Sequence, residues 1–236
     1  MFKELFVEHL EEVLPKGPAR VLELGSGHSQ AVVDLLKRRS DVTYRGVEPS
    51  ASAHASAREL LKDFSNAELT HGFAYDIGES STWDLCFSLS VLEHVKQLEK
   101  FLAESVRVVK QNGWIVHRYD LGHSLTPSSL KERGQVFIGN RFPKLLSEHT
   151  FVSHLHMETV VAFLQKHGAD VKRVTFHQMP EHKSLLKQLK NDTPEKAALI
   201  RELVEWEFKI SPFVRELPQK TRERLFPAIA VWAQKR

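Results

Sequence analysis

Short apolar runs alternate with amphipathic segments through the first half of the chain. Each run has the length of a buried strand, and the segments between the runs place apolar residues at helical spacing. Strands and helices that alternate in this way form βαβ units, whose right-handed crossovers put helices on both faces of a parallel sheet. The sequence therefore predicts a doubly wound α/β fold. Seven strands are predicted, at residues 21–24, 42–47, 67–72, 84–89, 114–119, 171–177 and 228–233.

The length of 236 residues suits one domain with a substantial core, so we expect residues 1–236 to form a single domain. Its regular part, residues 19–120, should bind the ligand. Within this part, a helix is predicted at residues 98–110, directly before the fifth strand. Residues 121–150 are predicted to be an irregular insertion and residues 181–225 a helical one. Three prolines mark the expected boundaries in the helical insertion: Pro194, Pro212 and Pro218.

The role of these two insertions stays open at the level of sequence. Long insertions near the end of an α/β chain often form a lid or a substrate wall. A packing or dimerisation element fits them equally well. The sequence does not determine the oligomeric state.

The single cysteine, Cys86, limits the chemistry of the chain. No disulfide can form within the chain and no thiolate cluster is available, so we expect a reducing, cytoplasmic location. The formal net charge of +3 is mildly basic and does not require a nucleic-acid partner. No apolar stretch approaches the roughly 20 residues of a membrane-spanning helix, so we expect no membrane span.

Thirteen histidines raise the question of a metal site. The sequence His154-Leu155-His156, with His149 nearby, is the arrangement that invites this interpretation. Its spacing does not match a known closed site, and no cysteine lies near it. We therefore expect no metal.

The turn after the first predicted strand has the features of a ligand-binding loop. It reads Glu23-Leu24-Gly25-Ser26-Gly27, and open α/β sheets bind ligands beyond the carboxyl ends of their strands. Glycines let the backbone turn sharply and let a ligand approach without meeting a Cβ atom. The sixth position counted from Gly25 is Gln30, so the dinucleotide fingerprint fails, and the loop lacks the lysine of a phosphate-binding P-loop.

Glu48 lies at the end of the second predicted strand. A carboxylate at this place accepts hydrogen bonds from the hydroxyls of a ribose. The alternative is an exposed glutamate that binds nothing. Because it follows a glycine loop at the right distance, Glu48 favours a ligand that contains ribose and whose phosphates, if any, are not held in the usual way.

Five parts of the chain, in this order, resemble class I S-adenosylmethionine-dependent methyltransferases. The resemblance covers about residues 19–120 and implies S-adenosylmethionine as cofactor and methyl transfer as the reaction. It also implies a Rossmann-like, seven-stranded and mostly parallel sheet whose last strand is antiparallel. The matching parts are residues 21–27, Glu48, and residues 71–76, 83–95 and 106–114, of which residues 83–95 are the most specific.

The resemblance implies a role for each matching residue. The methionine portion of the cofactor would lie over Gly25-Ser26-Gly27, with Glu23 supporting that loop and the amino group. Glu48, followed by Pro49, would hold the ribose. Ser88-Leu89, at the end of the fourth strand, would border the sulfonium.

The adenine would lie against Phe73-Ala74, and here the chain departs from the family pattern. The acid that often meets the adenine amino group falls at Phe73, so Asp76 or backbone groups would replace it. The third glycine of the family loop falls at Ser29, which fits if its φ is negative. Both departures leave room for weak cofactor binding.

Methyl transfer depends mainly on positioning, and a base is needed only where the acceptor must lose a proton early. The candidates lie after the fourth and fifth strands. We rank His123 first, because a loop histidine near Asp120 can be oriented and titrate close to neutral pH. His94 follows, since family members often use that position to anchor a helix. Either histidine could instead be structural.

Three hypotheses remain after the sequence alone. The first is a methyltransferase that acts on a small molecule or on a lipid- or sugar-linked metabolite. The second is a methyltransferase for RNA or protein, although residues 83–95 lack the Asn/Asp-Pro-Pro-Tyr/Phe run associated with methylation of base amino groups. The third is a non-catalytic relative of the fold that acts as a binding or interaction protein.

Overall fold

The computed structural model describes residues 2–75, 77–127, 129–142, 145–146, 150–188 and 193–236, without the side chains of His123 and Lys187. The strands are β1 (Ala19–Leu24), β2 (Val42–Glu48), β3 (Ala67–His71), β4 (Trp83–Leu89), β5 (Val109–Asp120), β6 (Ala169–His177) and β7 (Ala228–Lys235). They form one sheet in the order β3-β2-β1-β4-β5-β7-β6. The first five strands are parallel, and β7 runs antiparallel to both β5 and β6. The predicted fold class is confirmed.

Helices connect the strands and cover the sheet. No helix of the described residues is both long enough and apolar enough to cross a membrane. The helices are α1 (Phe2–Leu10), α2 (Val33–Arg38), α3 (Ala51–Leu60), α4 (Leu98–Val108), α5 (Gly122–Leu125), α6 (Leu130–Arg141), α7 (Met157–Lys166), α8 (Pro180–Gln188), α9 (Pro194–Arg215) and α10 (Gln219–Leu225).

Both faces of the sheet are packed with apolar side chains. On one face, Leu102 and Leu164 belong to a cluster that includes residues of α4 and α7. On the other, Phe6, Leu10 and Leu36 belong to a cluster that includes residues of α1 and α2. A sheet buried on both faces explains why β4 is apolar along nearly its whole length.

The ends of the central strands define where a ligand can bind. β1 pairs in parallel with β2, so that Leu24 lies opposite Val47 and the carboxyl ends of the two strands are neighbours. The chain then continues to β3 on the same side, whereas β4 pairs with the other edge of β1. The strand order therefore reverses between β1 and β4, which is where open α/β sheets bind ligands.

The helix predicted at residues 98–110 ends earlier than expected. It stops at Val108, and β5 begins at the next residue. Val109 is drawn into the sheet because it pairs with Trp83 of β4, and the register shifts before the pairing resumes at Leu85. Strand pairing in this irregular stretch overrides the helical periodicity of the sequence.

The two insertions are more regular than the sequence indicates. Residues 121–150, predicted to be irregular, contain α5 and α6, and Ser129 caps α6 by accepting the N–H of Glu132 at 3.1 Å. Pro212 was predicted to be a boundary but lies inside α9, near its end. Proline there removes only one backbone donor close to a terminus, so the helix continues through it.

Candidate cofactor site

The loop after β1 turns sharply at two glycines. Gly25 has a φ of 73° and Gly27 a φ of 55°, both in the left-handed region that residues with a Cβ atom disfavour. A Cβ atom on Gly25 would lie 2.7 Å from Cγ2 of Val91. Gly25 is therefore required both by its backbone conformation and by the space around it.

Glu48 joins the ends of β1 and β2. Its Oε2 accepts the N–H of Gly27 at 2.8 Å, and its Oε1 accepts the N–H of Ser50 at 2.8 Å. Each carboxylate oxygen keeps a second lone pair, so both can accept a further hydrogen bond from a ligand. The glycine loop and the acid that the sequence analysis paired are in direct contact.

A cavity of about 590 Å³ opens at these strand ends. Gly25, Ser26 and Gly27 line it, together with four further residues proposed to bind the cofactor: Glu23, Glu48, Pro49 and Leu89. The first turn of α1 lines it as well, through Phe2, Lys3 and Glu4. The sequence analysis did not anticipate this contribution, because nothing in an amphipathic helix shows which end of the sheet it covers.

A smaller cavity of about 140 Å³ adjoins the first. Phe73 and Ala74 line it, next to apolar side chains such as Val95 and Phe101. The two cavities share the walls formed by Gly25, Pro49, Val91 and His94. The apolar lining suits the face of a flat ring, which agrees with the adenine contact implied for Phe73 and Ala74.

The carboxyl group of Glu23 is buried beneath the glycine loop. Its Oε2 accepts the hydroxyl of Tyr44 at 2.7 Å, and burial raises the pKa of Glu23 to about 8. Burial also raises the pKa of Tyr44 well above its ordinary value. The Tyr44 hydroxyl and the positive charge of Lys3 offset this burial only in part, so a positive group of a ligand is favoured beside the carboxyl group.

Ser29 adopts the conformation that the family pattern gives to glycine. Its φ is 55°. The condition under which serine would fit this position without strain, a negative φ, is therefore not met. A left-handed conformation costs a residue with a Cβ atom roughly 1–2 kcal/mol. Ser29 is buried, and its hydroxyl lies 3.4 Å from that of Tyr44. Asp76, the other residue tied to a departure from the family pattern, lies outside the described residues.

The two residues proposed to border the sulfonium point in different directions. Leu89 lines the larger cavity, and its carbonyl accepts a hydrogen bond from Nζ of Lys3 at 3.3 Å. Ser88 is fully buried, and its hydroxyl lies 2.8 Å from Nδ1 of His117. Side chains alternate along a strand, so when Leu89 faces the cavity the side chain of Ser88 faces the core.

The three candidate catalytic residues have different positions. His94 lines both cavities, and its Nδ1 donates to the carbonyl of Phe151 at 3.0 Å. Asp120 accepts the N–H of Gly122 at 2.7 Å and is absent from both linings. The backbone of His123 lies in α5, but its side chain is outside the described part of the structure.

Glu93 is a buried acid that the sequence analysis did not single out. Its Oε1 accepts the N–H of Asp120 at 3.2 Å, whereas its Oε2 has no hydrogen-bond partner among the described residues. Burial raises the pKa of Glu93 to about 7. No local pattern marks this residue, because it follows an apolar residue, Leu92, like many exposed glutamates.

These residues fit S-adenosylmethionine on grounds that the structure itself supplies. Ser26 lines the larger cavity together with Gly25 and Gly27. Gly25 and Gly27 leave the floor of that cavity without side chains, and Glu48 offers two acceptor oxygens beside them. The site therefore has an open backbone surface and a carboxylate where a polar adenosine derivative needs them.

Comparisons with solved structures agree with this fold. A protein from Galdieria sulphuraria assigned as a sarcosine dimethylglycine methyltransferase matches with a TM-score of 0.64 and 15% identity, over 99% of this chain and 84% of that chain. Phosphoethanolamine N-methyltransferase 2 of Haemonchus contortus matches with 0.62 and 17%, over 97% and 51%. Geranyl diphosphate C-methyltransferase of Streptomyces coelicolor A3(2) matches with 0.63 and 11%, over 98% and 77%.

A family model matches part of the sequence. Residues 22–117 match the model of the methyltransferase domain, and this segment contains the glycine loop, Glu48, Phe73 and His94. Over these residues the chain is similar to a methyltransferase domain, in agreement with the predicted resemblance to the class I S-adenosylmethionine-dependent methyltransferases.

Proposed function

We propose that this chain transfers the methyl group of S-adenosylmethionine to a small-molecule acceptor. The observation that carries the proposal is the 2.8 Å hydrogen bond from Gly27 to Glu48, which brings the glycine loop and the acid to the wall of one cavity. The methyltransferase domain over residues 22–117 supports the cofactor and the reaction class.

Different residues around the cavity bind different parts of the cofactor. Glu48 accepts hydrogen bonds from the ribose hydroxyls, and Phe73 and Ala74 cover the adenine. Ionised Glu23 balances the positive amino group of the methionine portion, which lowers the electrostatic cost of burying that carboxylate. S-adenosylmethionine, when bound, supplies a methyl group that is already activated by its positive sulfur.

The volume of the cavity, about 590 Å³, and the substrates of similar structures favour a small acceptor. The first turn of α1 adds Phe2 and Lys3 to the lining of this cavity. The similar structures from Haemonchus and Streptomyces are named for phosphoethanolamine and geranyl diphosphate, both small molecules. An acceptor held in line with the methyl group at near-attack distance needs little further assistance.

The base, where the acceptor requires one, stays a proposal among three residues. His94 is the candidate whose side chain lines the cavities, and its bond to the carbonyl of Phe151 places the proton on Nδ1 and orients the ring. His123 and Asp120 remain candidates on their positions after β5. The cytoplasm remains the proposed compartment, on the ground of the single cysteine.

The proposal is tested by transfer of labelled methyl from S-adenosylmethionine into fractionated cell extract. We expect label in the small-molecule fraction, with little transfer by the Glu48→Ala variant at the same cofactor concentration. Label that appears only in the RNA or protein fraction would contradict the small acceptor. Absence of transfer together with absence of cofactor binding would favour the non-catalytic relative of the fold.

A further inference from the structure

Three potential metal ligands meet where residues 154–156 approach α10. His154, His156 and Glu223 each place one ligand atom within 4.8 Å of the others. Nε2 of His154 lies 3.4 Å from Oε2 of Glu223. Two ligands that each bind a tetrahedral Zn²⁺ ion at roughly 2.1 Å are themselves about 3.4 Å apart. The spacing of this pair therefore matches two ligands of one ion.

The hydroxyl of Ser124 fixes the tautomer of His154. Ser124 donates its single hydroxyl proton to the carbonyl of Leu121 at 2.9 Å, so it accepts from Nδ1 of His154, which also lies 2.9 Å away. Neutral His154 therefore turns the lone pair of Nε2 toward the carboxylate of Glu223. Two acceptors that face each other favour a cation between them, and an Nδ1–H held by an oxygen is the usual support of a metal-binding histidine.

One amide nitrogen links the other two ligands. Nε2 of Gln219 donates to Nδ1 of His156 at 2.8 Å and to Oε1 of Glu223 at 2.8 Å. The lone pair of His156 and the carboxylate of Glu223 are thus within reach of one shared positive group. Glu223 is only 5% exposed, so water does little to compensate its charge.

We propose that His154, His156 and Glu223 bind one divalent transition-metal ion, for which Zn²⁺ is the best fit. Two imidazoles and one carboxylate, with a fourth position left for water, are the donor set of open zinc sites. The expectation of no metal rested on spacing along the chain, which could not reveal that Glu223 lies beside the two histidines.

The site connects α10 to the wall of the cofactor cavity. The segment that carries the histidines accepts the Nδ1–H of His94 on the carbonyl of Phe151, and the N–H of Ser153 donates to the carbonyl of Glu93 at 2.9 Å. A bound ion would hold this segment in place beside His94. The metal proposal does not rest on methyl transfer, and binding is measured without the reaction.

The test is titration of the chelator-treated full chain with Zn²⁺ in competition with a coloured chelator. We expect one equivalent per chain, and Co²⁺ should give the visible absorption of a low-symmetry, four- or five-coordinate ion. His154→Gln, His156→Gln and Glu223→Gln should each weaken binding at least tenfold. His167→Gln is the matched control, since His167 lies 3.2 Å from the carboxylate of Glu99 without belonging to a three-ligand group in the described part of the chain.

Gln219→Ala separates metal binding from a structural role of the cluster. Removing the amide that competes for His156 and Glu223 should raise the affinity for Zn²⁺, whereas a cluster that only supports the fold gives no such gain. Far-UV circular dichroism identifies any variant that fails to fold. The proposal is overturned if the wild type binds less than one equivalent, or if the three ligand variants bind Zn²⁺ as tightly as the wild type.

Discussion

Glu48 is the side chain that the proposal assigns to the ribose hydroxyls. Its two oxygens are held by the N–H groups of Gly27 and Ser50, so it is oriented before a ligand arrives. We predict that Glu48→Ala weakens S-adenosylmethionine binding by about 1–3 kcal/mol, the usual cost of losing hydrogen bonds to a charged group. Isothermal titration calorimetry measures the change.

The matched control for this variant is Glu59→Ala on α3. Glu59 is exposed and pairs with Lys62, away from both cavities. Its loss should leave the affinity for the cofactor unchanged. If Glu48→Ala also binds as tightly as the wild type, the ribose site is wrongly assigned.

Substitution of Gly25 tests the importance of the loop conformation rather than that of a polar contact. We predict that Gly25→Ala weakens cofactor binding at least tenfold, because the new Cβ atom meets Val91 at 2.7 Å and the φ of 73° is strained for alanine. Gly17→Ala is the control, since its Cβ atom meets nothing within 4 Å. Equal affinities of the two variants, both folded, would contradict the role given to the loop.

At the scale of residues, the sequence predicts those site positions that depend on motif and strand end. Gly25 and Glu48 could be found because a glycine turn and an acid follow successive strands. Lys3 could not, because its contribution depends on where a whole helix packs. Ser88 shows a second limit of the sequence. The resemblance locates the end of the strand, but it does not show that the alternation of side chains turns the Ser88 hydroxyl toward His117.

At the scale of elements, α1 has two separate functions. Phe6 and Leu10 are buried in the core, whereas Phe2 and Lys3 line the cofactor cavity. We predict that the double variant Phe2→Ala/Lys3→Ala weakens cofactor binding by roughly threefold to tenfold. It should lower the free energy of unfolding by only about 1–2 kcal/mol, because Phe2 is partly buried against the cluster that includes Leu5. Calorimetry and urea denaturation measure the two effects.

Phe6→Ala should show the opposite result. Removal of a buried phenylalanine costs about 3–5 kcal/mol of stability, and the residue does not line the cavity. If the double variant loses stability as Phe6→Ala does, without a specific loss of affinity, then the first turn of α1 is only a packing element.

The ends of helices and strands were predictable where the spacing of apolar residues agrees with the position of capping or helix-breaking residues. Ser50 caps α3 by accepting the N–H of Ala53, and a serine directly before a helical pattern is a common signal for the start of a helix. The stretch after Val108 was not predictable, because pairing of Val109 with Trp83 decides it and pairing is not visible in a local pattern. The helices within residues 121–150 were missed because glycine and proline there suggested an irregular chain.

At the scale of the whole molecule, buried acids make stability depend on pH. The pKa of Glu93 is raised to about 7, so between its ordinary value near 4.5 and pH 7 the folded chain holds a proton that the unfolded chain has released. The free energy of unfolding should therefore fall as the pH rises through this window. Glu93→Gln removes this contribution and should stabilise the protein by about 2–3 kcal/mol at pH 8, but little near pH 4.5.

Urea denaturation of both proteins across this pH range gives the comparison. Glu23, whose pKa is raised to about 8, affects wild type and variant alike and cancels in the difference. A difference that does not change with pH would show that Glu93 is ionised in the folded protein throughout.

The sheet order and the antiparallel last strand agree with the resemblance found in the sequence. The organisation as a single domain and the role of the two insertions stay predictions. The acceptor is the least predictable feature, because it depends on side chains from α1 and from the insertions, which come together only in the folded molecule.

The central claim is that the cavity between the ends of β1 and β2 binds S-adenosylmethionine. Titration of the wild-type chain with S-adenosylmethionine, followed by isothermal calorimetry, tests this claim most directly. The account predicts one molecule bound per chain with a dissociation constant in the micromolar range. Absence of binding heat at millimolar cofactor, at several temperatures and with a folded protein, would contradict it.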